Sequence, residues 1–111
     1  MIVTTTENIP GHEIKKYVGV VWSSSARAKH LGHDIAAMAK AALVGGELSS
    51  YRKMMNEARN DVLQGIIKNA EKIGANAIIG VRLGSTQIMP ATVDIFAYGT
   101  AVIIEEEKKK K

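Results

Sequence analysis

The chain is short and mildly basic: its 111 residues carry a formal net charge of +4 and are 46% hydrophobic, which fits one folded domain. It contains no cysteine, so disulfides, thiolate metal sites and cysteine nucleophiles are excluded. No apolar run approaches the roughly 20 residues that span a bilayer, and the N-terminus lacks the basic-then-apolar order of a signal peptide, so the sequence predicts a cytoplasmic protein without a membrane partner.

Two strands are predicted at the start of the chain. Residues 1–6, MIVTTT, are rich in β-branched side chains, and Pro10 with Gly11 then signals a turn. Residues 13–23, EIKKYVGVVWS, follow as the second strand, and both of its faces become apolar toward the C-terminal end. That pattern predicts a strand end buried on both sides.

Two helices are predicted in the middle of the chain. Residues 34–45 are rich in alanine and other strong helix formers. Residues 49–74 carry apolar side chains at spacings of three and four, which predicts an amphipathic helix. Gly74 suits the left-handed position that follows a last helical turn, so we expect a positive φ there. The repeating apolar positions include Tyr51, Met55, Ala58, Val62, Ile66 and Ile73.

The length of the second helix favours an assembly. At 1.5 Å per residue, a helix over residues 49–73 is roughly 37 Å long, about the diameter of a compact domain of this size. One chain can hardly cover it along both sides. A kink near Gly65 is the alternative.

Two strands close the chain, over residues 76–86 and 92–104, with Pro90 at the bend between them. The order of elements predicts a ββααββ α+β fold, with the helices on one face of a mainly antiparallel sheet. Gly80, Gly84 and Gly99 remove side chains from one face of these strands, which usually marks a bulge or the close approach of another backbone. In so short a chain, the pattern favours the backbone of another subunit.

The domain is expected to span residues 1–104, followed by a charged, disordered tail over residues 105–111, EEEKKKK. Without that tail the chain has 11 basic and 8 acidic residues, a mild excess. It also has only one Phe, one Trp and three Tyr for stacking. Charge and composition therefore argue against a nucleic-acid partner.

Four segments together resemble the YbjQ-like family of small bacterial and archaeal proteins, which are labelled as heavy-metal-binding domains. They are GGELSSY at 45–51, AR at 58–59, GANAIIGVR at 74–82 and AYGTAV at 97–102. Their order and spacing match across nearly the whole chain. The resemblance implies a dodecin-like subunit that assembles as a ring-shaped homopentamer, with short extra strands joining the subunits, and it implies no catalytic mechanism.

Three side chains outside these segments test the metal label. His30, His33 and Asp34 have the spacing i, i+3, i+4, which would place them on one helical face. Such a trio can bind a divalent transition metal such as zinc, nickel or copper, with water or His12 completing the site. Arg27 and Lys29 add positive charge that repels a metal ion, and Gly32 weakens the helix, so both observations weigh against a metal site. Surface histidines at a helix start are the alternative.

A second group of polar residues surrounds the start of the long helix. Glu47 follows two glycines at that start, where a carboxylate is favoured, and a structural cap is its simplest role. Arg59 lies eight residues beyond Tyr51, so the two share a helical face and can meet one bound anion. The hypothesis is that Glu47, Tyr51 and Arg59 line an intersubunit cleft, with Asn76 and Tyr98 as lesser candidates.

The sequence does not predict an enzyme. It has no recognisable catalytic triad and no phosphate-binding loop, and the glycines at 74, 80 and 84 do not open a helix after a strand. Two functions remain open. One is a homo-oligomer that binds a metal or small ligand at subunit interfaces, and the other is a structural or interaction module without a small ligand.

Overall fold

The computed structural model describes residues 1–26, 49–89 and 92–108. The elements of these ranges are β1 (Ile2–Val3), β2 (His12–Ala26), α1 (Ser49–Lys72), β3 (Ala77–Met89) and β4 (Thr92–Glu106). The four described strands form one sheet in the order β1-β3-β4-β2, and α1 packs against one face of that sheet. β1 pairs with β3 in parallel, whereas the β3–β4 and β4–β2 pairs are antiparallel.

This architecture confirms the predicted α+β class and gives a mixed sheet with one described helix. The helix predicted over residues 34–45 lies outside the described residues. No helix in the described ranges is long and apolar enough to cross a membrane.

The main core lies between α1 and the sheet. Val62 and Ile66 of α1 and Ile78 of β3 are fully buried there, because the apolar residues of α1 recur every three or four positions and line one side of the helix. A smaller cluster lies on the outer face of the sheet, defined here as the face away from α1. Ile9 covers that cluster, which also contains Ala77, Ile79, Val102 and Ile104.

α1 ends as the sequence predicts. Gly74 has a φ of +85°, in the left-handed region. Its N–H donates to the Glu71 carbonyl at 3.1 Å, and the Ala75 N–H donates to the Ala70 carbonyl at 3.0 Å. This pair of bonds is a Schellman motif, which satisfies the last carbonyl groups of the helix. The chain can therefore turn directly into β3.

Gly65 has a packing role inside a continuous helix. α1 continues through it, and a Cβ atom built at this position would lie only 2.1 Å from Ser23 Oγ. The missing side chain therefore allows α1 to lie close against β2.

The predicted burial of the C-terminal end of β2 on both sides is wrong for the single chain. Val21 packs into the core under α1, but Val20 and Trp22 on the outer face are 63% and 69% exposed. The apolar pattern of β2 predicts that both of its faces are buried, but it does not indicate which residues would cover the outer face.

The glycine pattern of β3 and β4 is satisfied within the chain. Gly80 has a φ of +60° at a register shift between β3 and β4, so the predicted bulge is present there. A Cβ atom at Gly84 would lie 2.5 Å from Phe96 Cζ, and one at Gly99 would lie 2.8 Å from Ile78 Cγ2. Side chains of the same chain fill the spaces at Gly84 and Gly99, so these two glycines do not require another subunit, and the approach of a second chain stays a prediction.

The sheet also extends past the predicted domain boundary at residue 104. β4 runs to Glu106, and the Glu107 N–H donates to the Gly11 carbonyl at 2.9 Å. Lys15 Nζ lies 3.2 Å from a Glu13 carboxylate oxygen and 3.7 Å from one of Glu105, which offsets the repulsion between these paired carboxylates. The start of the predicted disordered tail is therefore part of a strand.

Candidate functional site

The strongest candidate site among the described residues is a small cleft between α1 and the C-terminal half of β3. Its volume is about 210 Å³. Arg59 stands at the cleft on the exposed side of α1, and its Nη1 donates to Asn56 Oδ1 at 2.8 Å. A guanidinium carries five N–H donors, so this bond leaves donors for an anion. The lining residues are Met55, Arg59, Leu83, Gly84, Ser85 and Ile95.

An apolar groove continues from this cleft along the β1/β3 edge of the sheet. It has a volume of about 330 Å³ and shares Leu83 with the cleft. Leu63 and Ile67 of α1 form one wall, and Val3 and Val81 belong to the opposite side. Arg59 therefore lies at a cleft that adjoins this groove through Leu83.

Asn76 is occupied by the backbone of β4. Its Nδ2 donates to the Ile104 carbonyl at 3.0 Å, and its Oδ1 accepts from the Ile104 N–H at 2.8 Å. The carboxamide thus imitates a strand residue and extends the β3–β4 pairing by one position. These two bonds account for an asparagine directly after Gly74 and Ala75, and a ligand-binding role for Asn76 stays a prediction.

Tyr98 lies on the outer face of the sheet, where it is 46% exposed. It is paired across the strands with Arg82 on one side and Trp22 on the other, and its ring stacks on Phe96 with centroids 6.4 Å apart. Arg59 stands on the helix side of the same sheet. The structure therefore does not bring Arg59 and Tyr98 into one site.

The remaining predicted site residues are only partly described. Tyr51 belongs to the first turn of α1, just over two turns before Arg59. Glu47 and the proposed metal trio of His30, His33 and Asp34 lie outside the described residues. Within the ranges that the structure describes, no group of three or more His, Cys, Asp or Glu side chains could hold a metal ion.

Sequence reasoning missed an exposed apolar surface on β2. Tyr17, Val20 and Trp22 stand on the outer face, and each is more than half exposed. The available signal was the run of residues 18–26, VGVVWSSSA, which combines strand-forming side chains with a complete lack of charge.

These features define a class of protein: a small α+β domain with a helix on a mixed four-stranded sheet and a basic cleft beside the helix. The chain belongs to the YbjQ-like family, whose sequence model, described as "Putative heavy-metal-binding", matches residues 1–105. The resemblance noted from the four sequence segments is confirmed.

Relatives agree with this membership, and a solved structure shares the fold. The chain is 51% identical over 106 residues to the UPF0145 protein of Thermotoga petrophila, covering 96% of this chain and 99% of the relative. It is 45% identical over 107 residues to a UPF0145 protein of Clostridioides difficile, covering 96% and 95%. A crystal structure of a DUF74-family protein of unknown function from Pediococcus pentosaceus superposes with a TM-score of 0.63 at 19% identity, covering 95% of this chain and 98% of that one. That likeness shows a shared fold.

Proposed function

We propose that this chain is a homo-oligomeric binding protein that holds a small anionic ligand at the boundary between subunits, in the cleft beside Arg59. The observation that carries the proposal is the pairing of an exposed guanidinium with the apolar side chains of Leu83 and Ile95 around one cleft. Guanidinium groups bind carboxylate and phosphate in a two-pronged geometry, and the apolar wall suits a ligand with a hydrophobic body.

The size of the cleft supports a position between subunits. Pockets for small molecules usually enclose about 300–1,000 Å³. The cleft of one chain encloses about 210 Å³ and lies where β3 reaches the edge of the sheet. A neighbouring copy would enlarge and close it. The pentameric ring implied by the family resemblance would place such a boundary at every subunit. The proposed role of the cleft is binding without catalysis.

Calorimetry with two probes tests the cleft. Inorganic phosphate offers the anion alone, and benzoate adds an apolar ring. Arg59→Ala should weaken binding by roughly 10- to 100-fold, the value of a charge-assisted hydrogen bond of about 1.5–3 kcal/mol. Arg52→Ala removes an equally positive, exposed side chain of α1 that does not line the cleft, so it should bind as wild type does.

The assembly must be measured alongside. Light scattering should give a mass several times the 12.0 kDa of one chain, and five times for a pentamer. Loss of binding by Arg59→Ala with this mass unchanged supports the cleft. Dissociation of the variant would instead assign Arg59 to holding neighbouring chains together, and unchanged binding would refute the proposal.

A metal-binding function is the second candidate, because the family description names heavy metals. The described residues supply no metal site, so the donors would have to come from His30, His33 and Asp34. Calorimetry with Zn²⁺, Ni²⁺ and Cu²⁺ on the wild type and on a His30→Ala/His33→Ala variant tests this directly. A structural module without any ligand predicts no heat from metals, phosphate or benzoate.

A further inference from the structure

The apolar groove beside the Arg59 cleft has no part in the anion site described above. It encloses about 330 Å³ and shares with the cleft the side chain of Leu83, which is 43% exposed. The core holds its other walls in place, because Val3, Leu63 and Ile67 pack against the main buried cluster. The groove is therefore formed before any ligand arrives, which lowers the ordering cost of binding.

The groove follows the same side of α1 as Arg59. Leu63 and Ile67 come four and eight residues after Arg59, so the three side chains are successive neighbours on the helix surface. The two apolar side chains lie about 6 and 12 Å farther along the helix axis than Arg59. β3 supplies the opposite wall with Leu83 and Val81, two residues apart on the helix side of the sheet. The groove thus extends away from Arg59 along the helix.

The charges around the two spaces are one-sided. Among the described residues that line the cleft and the groove, Arg59 is the one charged side chain. The groove is otherwise lined by aliphatic side chains and by neutral polar ones, which are Thr4, Thr5, Asn60 and Gln64. A bound molecule would therefore meet a positive group at the cleft and uncharged surface along the groove. A second charge on that molecule would lose water without gaining a partner, which is costly.

We propose that the ligand of the Arg59 cleft is a linear aliphatic monocarboxylate of medium chain length, with its alkyl chain in the groove along Leu63 and Ile67. This inference rests on the anion site proposed above and names the class of its ligand. Arg59 Nη1 is held by Asn56 Oδ1, so Nη2 and Nε keep their N–H groups for the two carboxylate oxygens. The cleft alone is smaller than a usual ligand pocket of about 300–1,000 Å³, and the groove supplies the missing volume.

A series of carboxylates of increasing length tests the proposal by calorimetry on the wild type. Each methylene buried in the groove should raise the affinity about fourfold, which gives roughly 200-fold from butanoate to octanoate. Octanol has the same chain without the charge. It should bind roughly 10- to 100-fold more weakly than octanoate, the value of a charge-assisted hydrogen bond.

A variant of the groove wall shows where the chain lies. Ile67→Asn places a polar group along the groove, so the gain from butanoate to octanoate should fall by at least about 10-fold while butanoate binds as before. Ile73→Asn is the matched control, because Ile73 lines a different groove, beside β2. Circular dichroism checks that both variants fold. Methyl NMR of the wild type needs no variant: octanoate should shift the signals of Leu63, Ile67 and Val81, and acetate should leave those of Ile67 unchanged.

The other outcomes separate this inference from the anion site. If acetate and octanoate bind equally and both are lost in Arg59→Ala, the anion site stands and the groove assignment is overturned. If the affinity rises with chain length to the same extent and from the same starting value in Arg59→Ala, the groove binds alkyl chains without Arg59, and the anion site is overturned along with its pairing to the groove. Octanoate shifts that appear at Ile73 and not at Ile67 would likewise overturn the placement of the chain.

Discussion

Replacing Gly65 with alanine is expected to destabilise the protein, although the same change inside an exposed helix would stabilise it by about 1 kcal/mol. The new Cβ would lie 2.1 Å from Ser23 Oγ and 2.8 Å from Ser23 Cβ. Rotating the hydroxyl relieves the first contact but not the second, so α1 must move away from β2. That movement would also stretch the hydrogen bond from Asn69 Nδ2 to the Trp22 carbonyl, now 2.9 Å. Overpacking of this kind costs about 1–3 kcal/mol, so we expect a net loss of about 1–2 kcal/mol.

Urea unfolding followed by circular dichroism, at one fixed protein concentration, measures this loss. Ser23→Gly removes both of the atoms that the new Cβ would meet. In that background Gly65→Ala should become neutral or stabilising, which requires a coupling energy of at least about 1 kcal/mol between the two sites. The reasoning is refuted if Gly65→Ala raises stability in the wild-type background. It is equally refuted if the change has the same effect in both backgrounds.

Four further substitutions probe local features of the fold. Gly74→Val should lower stability by about 1 kcal/mol or more, because valine tolerates the φ of +85° poorly, and an unchanged melting temperature would contradict this. Asn76→Ala should cost about 1–3 kcal/mol in urea unfolding, because it leaves backbone groups of β4 without partners. Asn69→Ala, which removes one exposed bond, should cost less. The hydrogen bond and charge of Glu13 raise the pKa of Lys15 above 10.5, so this pair stabilises the fold below pH 10.5 and loses its effect as pH rises through the folded pKa. Lys15→Met and high salt should both flatten the alkaline part of the curve of stability against pH.

The elements that were predicted correctly from the sequence are those that depend on the spacing of residues close together in the chain. The spacing of Ala58, Val62 and Ile66 fixes the buried side of α1 without reference to the rest of the chain. Gly74 marks the end of the helix because few other residues adopt its φ. The alternation in β3 and β4 likewise identifies a hairpin from neighbouring residues alone.

The features that sequence reasoning missed depend on distant contacts. β1 pairs in parallel with a strand more than 70 positions away, and no local pattern indicates that partner. The two bonds between Asn76 and Ile104 cross 28 positions, so the sequence suggested a binding role for Asn76 and did not indicate this structural one. Trp22 was predicted to be buried, and this prediction is wrong, because its side chain is 69% exposed. The burial of a strand face depends on which distant elements pack against it, and the local pattern of β2 does not contain that information.

The cleft and the proposed assembly can be tested as one system, because Leu83 lines the Arg59 cleft and is also an exposed hydrophobic side chain at the β3 edge of the sheet. Trp22→Lys is the useful variant, because Trp22 lies on β2, at the opposite edge of the sheet from the cleft. The substitution therefore leaves every residue that lines the cleft unchanged. If a neighbouring copy completes the cleft, this variant should bind benzoate at least about 10-fold more weakly than the wild type, although Arg59 is intact. The physical reason is that the open cleft leaves the apolar ring in contact with water, and burying such a ring contributes about 1.5–3 kcal/mol. Calorimetry makes the measurement at a concentration where light scattering shows the wild type assembled and Trp22→Lys dissociated, with Glu57→Lys, on the exposed side of α1, as the control. Equal affinity in the monomer and the assembly would show that the cleft of one chain is sufficient and that assembly serves another purpose.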